Sequence, residues 1–250
     1  YLKLEERLFR QLEREVYLDA DAGPGATLLR YRKGSPSDPQ VRQPNWNRSF
    51  ELPGDTAIGG VLLLHGMSDS PYSLRALGEA LQQRGYHVVG LRMPGHGTIP
   101  SGMLYLQWQD MAAVVRLGMI HLAQQVRDKP LHIIGYSTGA PLALDYALQA
   151  QQDSTLPPAA KLVLISPAIG VSPAAALAKW SRRLSRLPGL HQLAWLDIQP
   201  EFDPYKYNSF TTNAAEQVFE LTQSVANRMA ARTDTERPLP PMLIFKSTVD

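Results

Sequence analysis

Gly135-Tyr136-Ser137-Thr138-Gly139 sets a serine between two glycines, directly after the apolar run Leu131-His132-Ile133-Ile134. The G-x-S-x-G spacing suits a tight turn from a strand into a helix, with the serine hydroxyl projected above the sheet. Glycine on either side leaves out the β-carbons that so close a backbone approach would not admit. The helix that follows offers unpaired N–H groups and the positive end of its dipole to a developing negative charge. Ser137 is therefore the candidate nucleophile, and the chemistry is attack on a carbonyl carbon to give a covalent acyl intermediate. The bare pattern is only moderately specific, and a glycine-rich turn with a bystander serine is the bland alternative. Its placement between an apolar strand and a helix sharpens it.

Three further segments follow apolar runs. They are His65-Gly66-Met67-Ser68-Asp69-Ser70-Pro71, Pro94-Gly95-His96-Gly97 and Ser247-Thr248-Val249-Asp250. With Leu64-His65-Gly66, Gly85-Tyr86, Arg92 to Gly97, Trp108 with Asp110, the serine turn and Ser166-Pro167, the chain resembles an α/β-hydrolase of the monoacylglycerol lipase and carboxylesterase type. The resemblance is strong over residues 59–167 and moderate over 241–250. It is loose over the first 55 residues and over 168–240.

The resemblance implies a serine ester hydrolase that needs no metal or organic cofactor. Its oxyanion hole would be two backbone N–H groups, those of Met67 and Thr138. Fixed donors of this kind typically lower the barrier by about 3–4 kcal/mol each. Only the backbone of Met67 is needed, so its side chain is free to line a pocket or to pack in the core. Asp250 matches the triad acid, which orients a histidine and stabilises its imidazolium. The order in this fold is serine, acid, histidine, which places the histidine after Asp250. None of the six histidines has that position: His65, His96, His87, His132, His121 and His191 all precede it. The expectation is that the chain is a piece of a longer protein, with the histidine and a last strand and helix beyond it. A pseudoenzyme is the other reading.

These groups need a scaffold, and the sequence supplies a rhythm for one. The apolar run at 60–64 reads as a strand buried on both faces, and those at 86–91, 131–134, 161–165 and 242–245 read as further strands. Helical spacing at 71–84, 105–126 and from 139 through 148 separates them. Strands alternating with helices predict an α/β fold, a mostly parallel sheet flanked by helices. Residues 168–240 break the rhythm, hold no clear strand and read as a helical cap over the strand ends, where ligands bind in such sheets. The expected division is 1–55 for an N-terminal helix and short strands, 56–167 for the core, 168–240 for the cap, and 241–250 for a core strand leading to the acid. In the first segment, Leu4, Leu8, Leu12 and Val16 share one helical face, with Glu5, Glu6, Arg10 and Arg14 pointing away. Short strands are expected at 26–32 and 49–52.

Composition narrows the classes. The 250 residues contain no cysteine, which excludes a disulfide scaffold, a thiolate metal site and a cysteine nucleophile. A net charge of +2 shows no surplus of the kind nucleic-acid binders carry. The expected partner is a small-molecule ester, with a lipid as one form of it. Lys179, Arg182, Arg183 and Arg186 alternate with Leu177, Trp180, Leu184 and Leu187, which would suit docking of the cap on an anionic membrane surface. The N-terminal helix is a second candidate for such contact, and a solvated helix face is the plain reading of both. Within catalysis, acyl transfer and thioester or amide cleavage use the same groups. A non-catalytic binding module is the rival from another class.

Overall fold

The computed structural model describes residues 1–17, 29–169, 184–185, 187, 189–233 and 237–247. Six strands form one sheet in the order β1-β3-β2-β4-β5-β8: β1 (Phe50–Leu52), β2 (Gly59–Leu64), β3 (Tyr86–Leu91), β4 (Leu131–Tyr136), β5 (Lys161–Ile165) and β8 (Met242–Phe245). All pairings are parallel except that of β1 with β3. Helices α2 (Arg75–Gln82), α3 (Trp108–Val126) and α4 (Gly139–Gln152) connect successive strands. The result is a mostly parallel sheet flanked by helices, as the alternation of runs predicts, and it is the fold that the α/β-hydrolase resemblance implies.

Side chains alternate across a strand, and β2 shows what this does. Leu62 and Leu64 enter a cluster with Met111, Val115, Met119 and Leu122 of α3 and with Leu142 of α4. Val61 and Leu63 face the other way, into a cluster with Leu74, Val88 and Ile134. Every residue of β2 is buried, so each leucine contributes about 1.5–3 kcal/mol through burial. Two-sided burial is the physical reason the strand reads as an unbroken apolar run.

Two parts differ from the expectation. In α1 (Leu2–Leu12), the inward face is Glu5, Phe9 and Leu12, while Leu4 is 60% exposed and Leu8 lies on the outside. The reason is a polar anchor. Glu5 Oε1 lies 2.6 Å from Arg92 Nε and accepts from the Ser49 N–H and hydroxyl, so the carboxylate is drawn inward. Of the strand expected at 26–32, residues 29–32 begin a turn and 26–28 lie outside the described residues.

After β5, the chain contains a short antiparallel pair, β6 (Trp195–Asp197) and β7 (Phe210–Thr211), where no strand was expected. The long helix α5 (Thr212–Ala230) follows, capped by the Thr211 hydroxyl, which accepts the Ala214 N–H. It packs on α3 and α4 and places Leu221 and Val225 in the main cluster. Its Asn213 side chain donates to the Met103 and Leu106 carbonyls, and Gln217 accepts the Trp108 N–H at the start of α3. The basic residues Lys179, Arg182, Arg183 and Arg186 lie outside the described residues. Among the described residues, no helix is long and apolar enough to cross a membrane.

Candidate active site

The turn from β4 into α4 places Ser137 at φ +51°, a left-handed conformation that a non-glycine residue adopts at a cost of about 1–3 kcal/mol. The surrounding backbone holds it there. The Ser137 N–H donates to the Ile165 carbonyl at 2.9 Å, and the Ser137 carbonyl accepts from the Ala140 and Ala168 N–H groups at 3.1 Å each. A β-carbon on Gly135 would lie 2.3 Å from the Gly139 carbonyl oxygen. A β-carbon on Gly139 would in turn meet the backbone of Leu64, so both glycines are required by contact, and Ser137 is left half-buried at the carboxyl end of the strand. Thr138 is buried and precedes the first turn of α4.

The loop after β2 adjoins this serine. A β-carbon on Gly66 would lie 3.0 Å from the Ser137 β-carbon and 3.1 Å from Asp69 Oδ2. The Asp69 N–H donates to the Gly66 carbonyl at 3.2 Å, closing a turn with Met67 and Ser68 at its centre, and Ser68 has φ +67°. The Met67 side chain is half-buried between the main core and the cluster of Met103, Tyr207 and Ala214. The structure thus gathers Ser137, Thr138 and the Met67 turn at one end of the sheet. Asp250 lies outside the described residues.

Four of the six histidines hold hydrogen bonds. His65 is buried, and its Nδ1 faces the Gly66 carbonyl at 2.8 Å while its Nε2 accepts the Met93 N–H at 3.1 Å. That pairing places the ring proton on Nδ1 and ties the β2 loop to the β3 loop. His96 faces the Pro94 carbonyl with Nδ1 at 2.8 Å. Burial holds both rings neutral: His65 is pushed well below the usual histidine range, and His96 down to about 4. His87 and His121 both bond Glu51 Oε1, at 2.7 and 3.0 Å. His132 lies on β4, and His191 on a short 3-10 turn before β6.

The run from Pro200 to Ser209, rich in aromatic and polar side chains, reads in the sequence either as lining of an acyl or alcohol pocket or as a lace between cap and sheet. Residues 201–209 form a loop laced by its own side chains. Asp203 Oδ1 accepts the Tyr205 and Lys206 N–H groups, and Asn208 Oδ1 accepts those of Phe202 and Asp203. Buried Arg30 donates to the Lys206 carbonyl at 3.0 Å and to Asn47 Oδ1 at 2.9 Å, while Asn47 donates to the Pro204 carbonyl. Trp46 stacks on Tyr72 at 3.9 Å, with Tyr205 edge-on to the indole. Asx-type spacing around Asp203 is the local signal for part of this. Contacts of Arg30 and Asn47 with residues so distant in sequence leave none.

Comparison with known proteins gives a consistent picture. Over 85 residues the chain is 39% identical to a thermostable monoacylglycerol lipase of Bacillus sp. (strain H-257). That stretch is 34% of this chain and 33% of the relative, so the chain matches only about a third of the relative's length. Among solved structures it is similar to a metagenome-derived lipolytic enzyme described with LipS and LipT. There the TM-score is 0.63 at 22% identity, covering 81% of this chain and 76% of that one. It is also similar to the monoacylglycerol lipase of Paleococcus ferrophilus, with a TM-score of 0.56 at 21% identity, covering 78% and 76%. At these identities the structural likeness speaks for the fold. The Alpha/beta hydrolase family profile matches residues 61–248, from within β2 past the last strand of the sheet. A match over so much of its length means that the chain belongs to the alpha/beta hydrolase family.

Proposed function

We propose that the protein hydrolyses carboxylic esters through an acyl-enzyme on Ser137, with lipid or acylglycerol-like esters as the substrate class. The observation that carries this reading is the strained serine at φ +51° in contact with the Gly66 turn. A reactive side chain held in a costly conformation by its surroundings is a mark of pre-organisation. The lipid part of the reading is supported by the 85-residue likeness to a monoacylglycerol lipase.

In this mechanism the Ser137 oxygen attacks the acyl carbonyl, and its proton passes to a histidine that follows Asp250 in chain order. Asp250 orients that ring. The carbonyl oxygen becomes an oxyanion and accepts hydrogen bonds from the Met67 and Thr138 N–H groups. Collapse expels the alcohol, which takes the proton from the imidazolium, and leaves Ser137 acylated. Water, deprotonated by the same histidine, then releases the acid. The site at the carboxyl ends of β2 and β4 is where ligands bind in open parallel sheets.

The test is a panel of p-nitrophenyl esters of increasing acyl length, together with a monoacylglycerol, turned over by the full-length protein and by Ser137→Ala. Loss of the nucleophile is expected to lower kcat by about 10⁴-fold or more. Equal turnover by the two proteins would remove Ser137 from the reaction.

A further inference from the structure

The turn that carries Met67 is gripped from above by the loop of residues 203–207. The Tyr207 N–H donates to the Ser68 carbonyl at 2.8 Å, and Lys206 Nζ lies 3.3 Å from Asp69 Oδ1. Asp69 is 4% exposed, and its carboxylate sits against Gly66, where a β-carbon would lie 3.1 Å from Oδ2. We propose that Lys206, acting through Asp69, is a positioning residue that fixes the Gly66–Asp69 turn in the shape that aims the Met67 N–H at the oxyanion. This rests on the ester-hydrolase reading of the site.

Three features support the assignment. First, the turn needs an external hold. Ser68 at φ +67° stands where a turn of this kind usually carries glycine, so the turn is not self-sufficient. Second, the loop that supplies the hold is itself fixed on both sides of Lys206. The Lys206 N–H binds Asp203 Oδ1 and its carbonyl accepts from Arg30. The Tyr207 hydroxyl accepts the Thr98 N–H at 2.8 Å and donates to the Gly95 carbonyl at 3.1 Å. Third, Lys206 favours the charged form of Asp69. Burial pushes the Asp69 pKa above the usual carboxylate value on balance, and the lysine pulls in the opposite direction. Without the ammonium, a buried carboxylate would take up a proton or turn toward water. Its packing against the Gly66 backbone would loosen either way.

A donor that matters only when the oxyanion forms affects kcat rather than ground-state binding. In the full-length protein, Lys206→Met is expected to lower kcat on p-nitrophenyl butyrate by about 10- to 100-fold, with KM changed less than about 3-fold. Lys206→Arg, which keeps the charge, is expected to recover most of the loss. Amide hydrogen exchange supplies a readout independent of turnover. Residues 66–69 are expected to exchange about 10-fold faster in Lys206→Met, and near the wild-type rate in Lys206→Arg. An unchanged kcat in Lys206→Met would overturn the proposal. So would equal losses in both variants accompanied by a lowered Tm, which would mark a purely structural contact. If the wild-type protein turns over no ester, the hydrolase reading fails first. Exchange then decides the positioning claim: faster exchange in Lys206→Met upholds Lys206 as the hold on the turn, and unchanged exchange removes it.

Discussion

Gly139 stands against the end of the neighbouring strand so closely that a β-carbon on it would lie 2.2 Å from the Leu64 carbonyl oxygen. Leu64 is the last residue of β2, and the turn with Met67 begins two residues later. The glycine after the serine therefore sets the spacing between the nucleophile turn and the candidate oxyanion turn. Gly139→Ala is expected to cost about 3 kcal/mol or more, because the atoms it meets are backbone and cannot rotate away. Gly135→Ala meets the Gly139 carbonyl oxygen at 2.3 Å and is expected to behave alike. Urea unfolding midpoints measure both, and a loss below about 1 kcal/mol would mean that the turn gives way.

The pair of Glu5 and Arg92 is the second structural expectation. Both side chains are 4% exposed and 2.6 Å apart, and Arg92 also donates to the His96 carbonyl at 2.9 Å. Removing one member leaves the other charged and buried, which costs about 3–5 kcal/mol. Glu5→Gln is expected to destabilise the protein on that scale, whereas Glu6→Gln on the exposed face should cost less than about 0.5 kcal/mol. Denaturant unfolding separates the two, and equal effects would contradict the docking of α1 through Glu5.

Much of the fold was legible because of what parallel strands require. A strand covered on both faces cannot alternate, so β2 announces itself as an unbroken apolar run, and the G-x-S-x-G turn is fixed to the end of the neighbouring strand β4. The face chosen by α1 was not legible. Helical spacing correctly found a stripe of leucines, but the core beneath offers Arg92 and Ser49, and a carboxylate outranked Leu4 for the inner position. The short strands β6 and β7 were missed because two or three residues carry no period. Ser137, Thr138 and Met67 come together as their loops suggested. Asp69 stood in the quoted loop without a part, since its meaning depends on Lys206, a residue far along the chain.

Stability should fall as the solution is acidified through the histidine range. Burial lowers the His96 pKa from 6.5 to about 4, so between those values the unfolded chain binds a proton that the folded protein does not. Stability therefore rises with pH across this window, and this ring accounts for about 3 kcal/mol of loss on going from pH 6.5 to 4. His65 acts in the same direction. His96→Asn keeps a donor for the Pro94 carbonyl but cannot titrate, so its urea midpoint should fall less over that window than the wild type's. Parallel curves would show that His96 is not held neutral by its site.

The central claim is that Ser137 is an activated nucleophile, and the most direct measurement is the intact mass of the full-length protein after treatment with a fluorophosphonate. The expected result is one adduct, which peptide mapping places on Ser137, and none in Ser137→Ala. An unlabelled wild-type protein, or a Ser137→Ala variant labelled as fully as the wild type, would contradict the account.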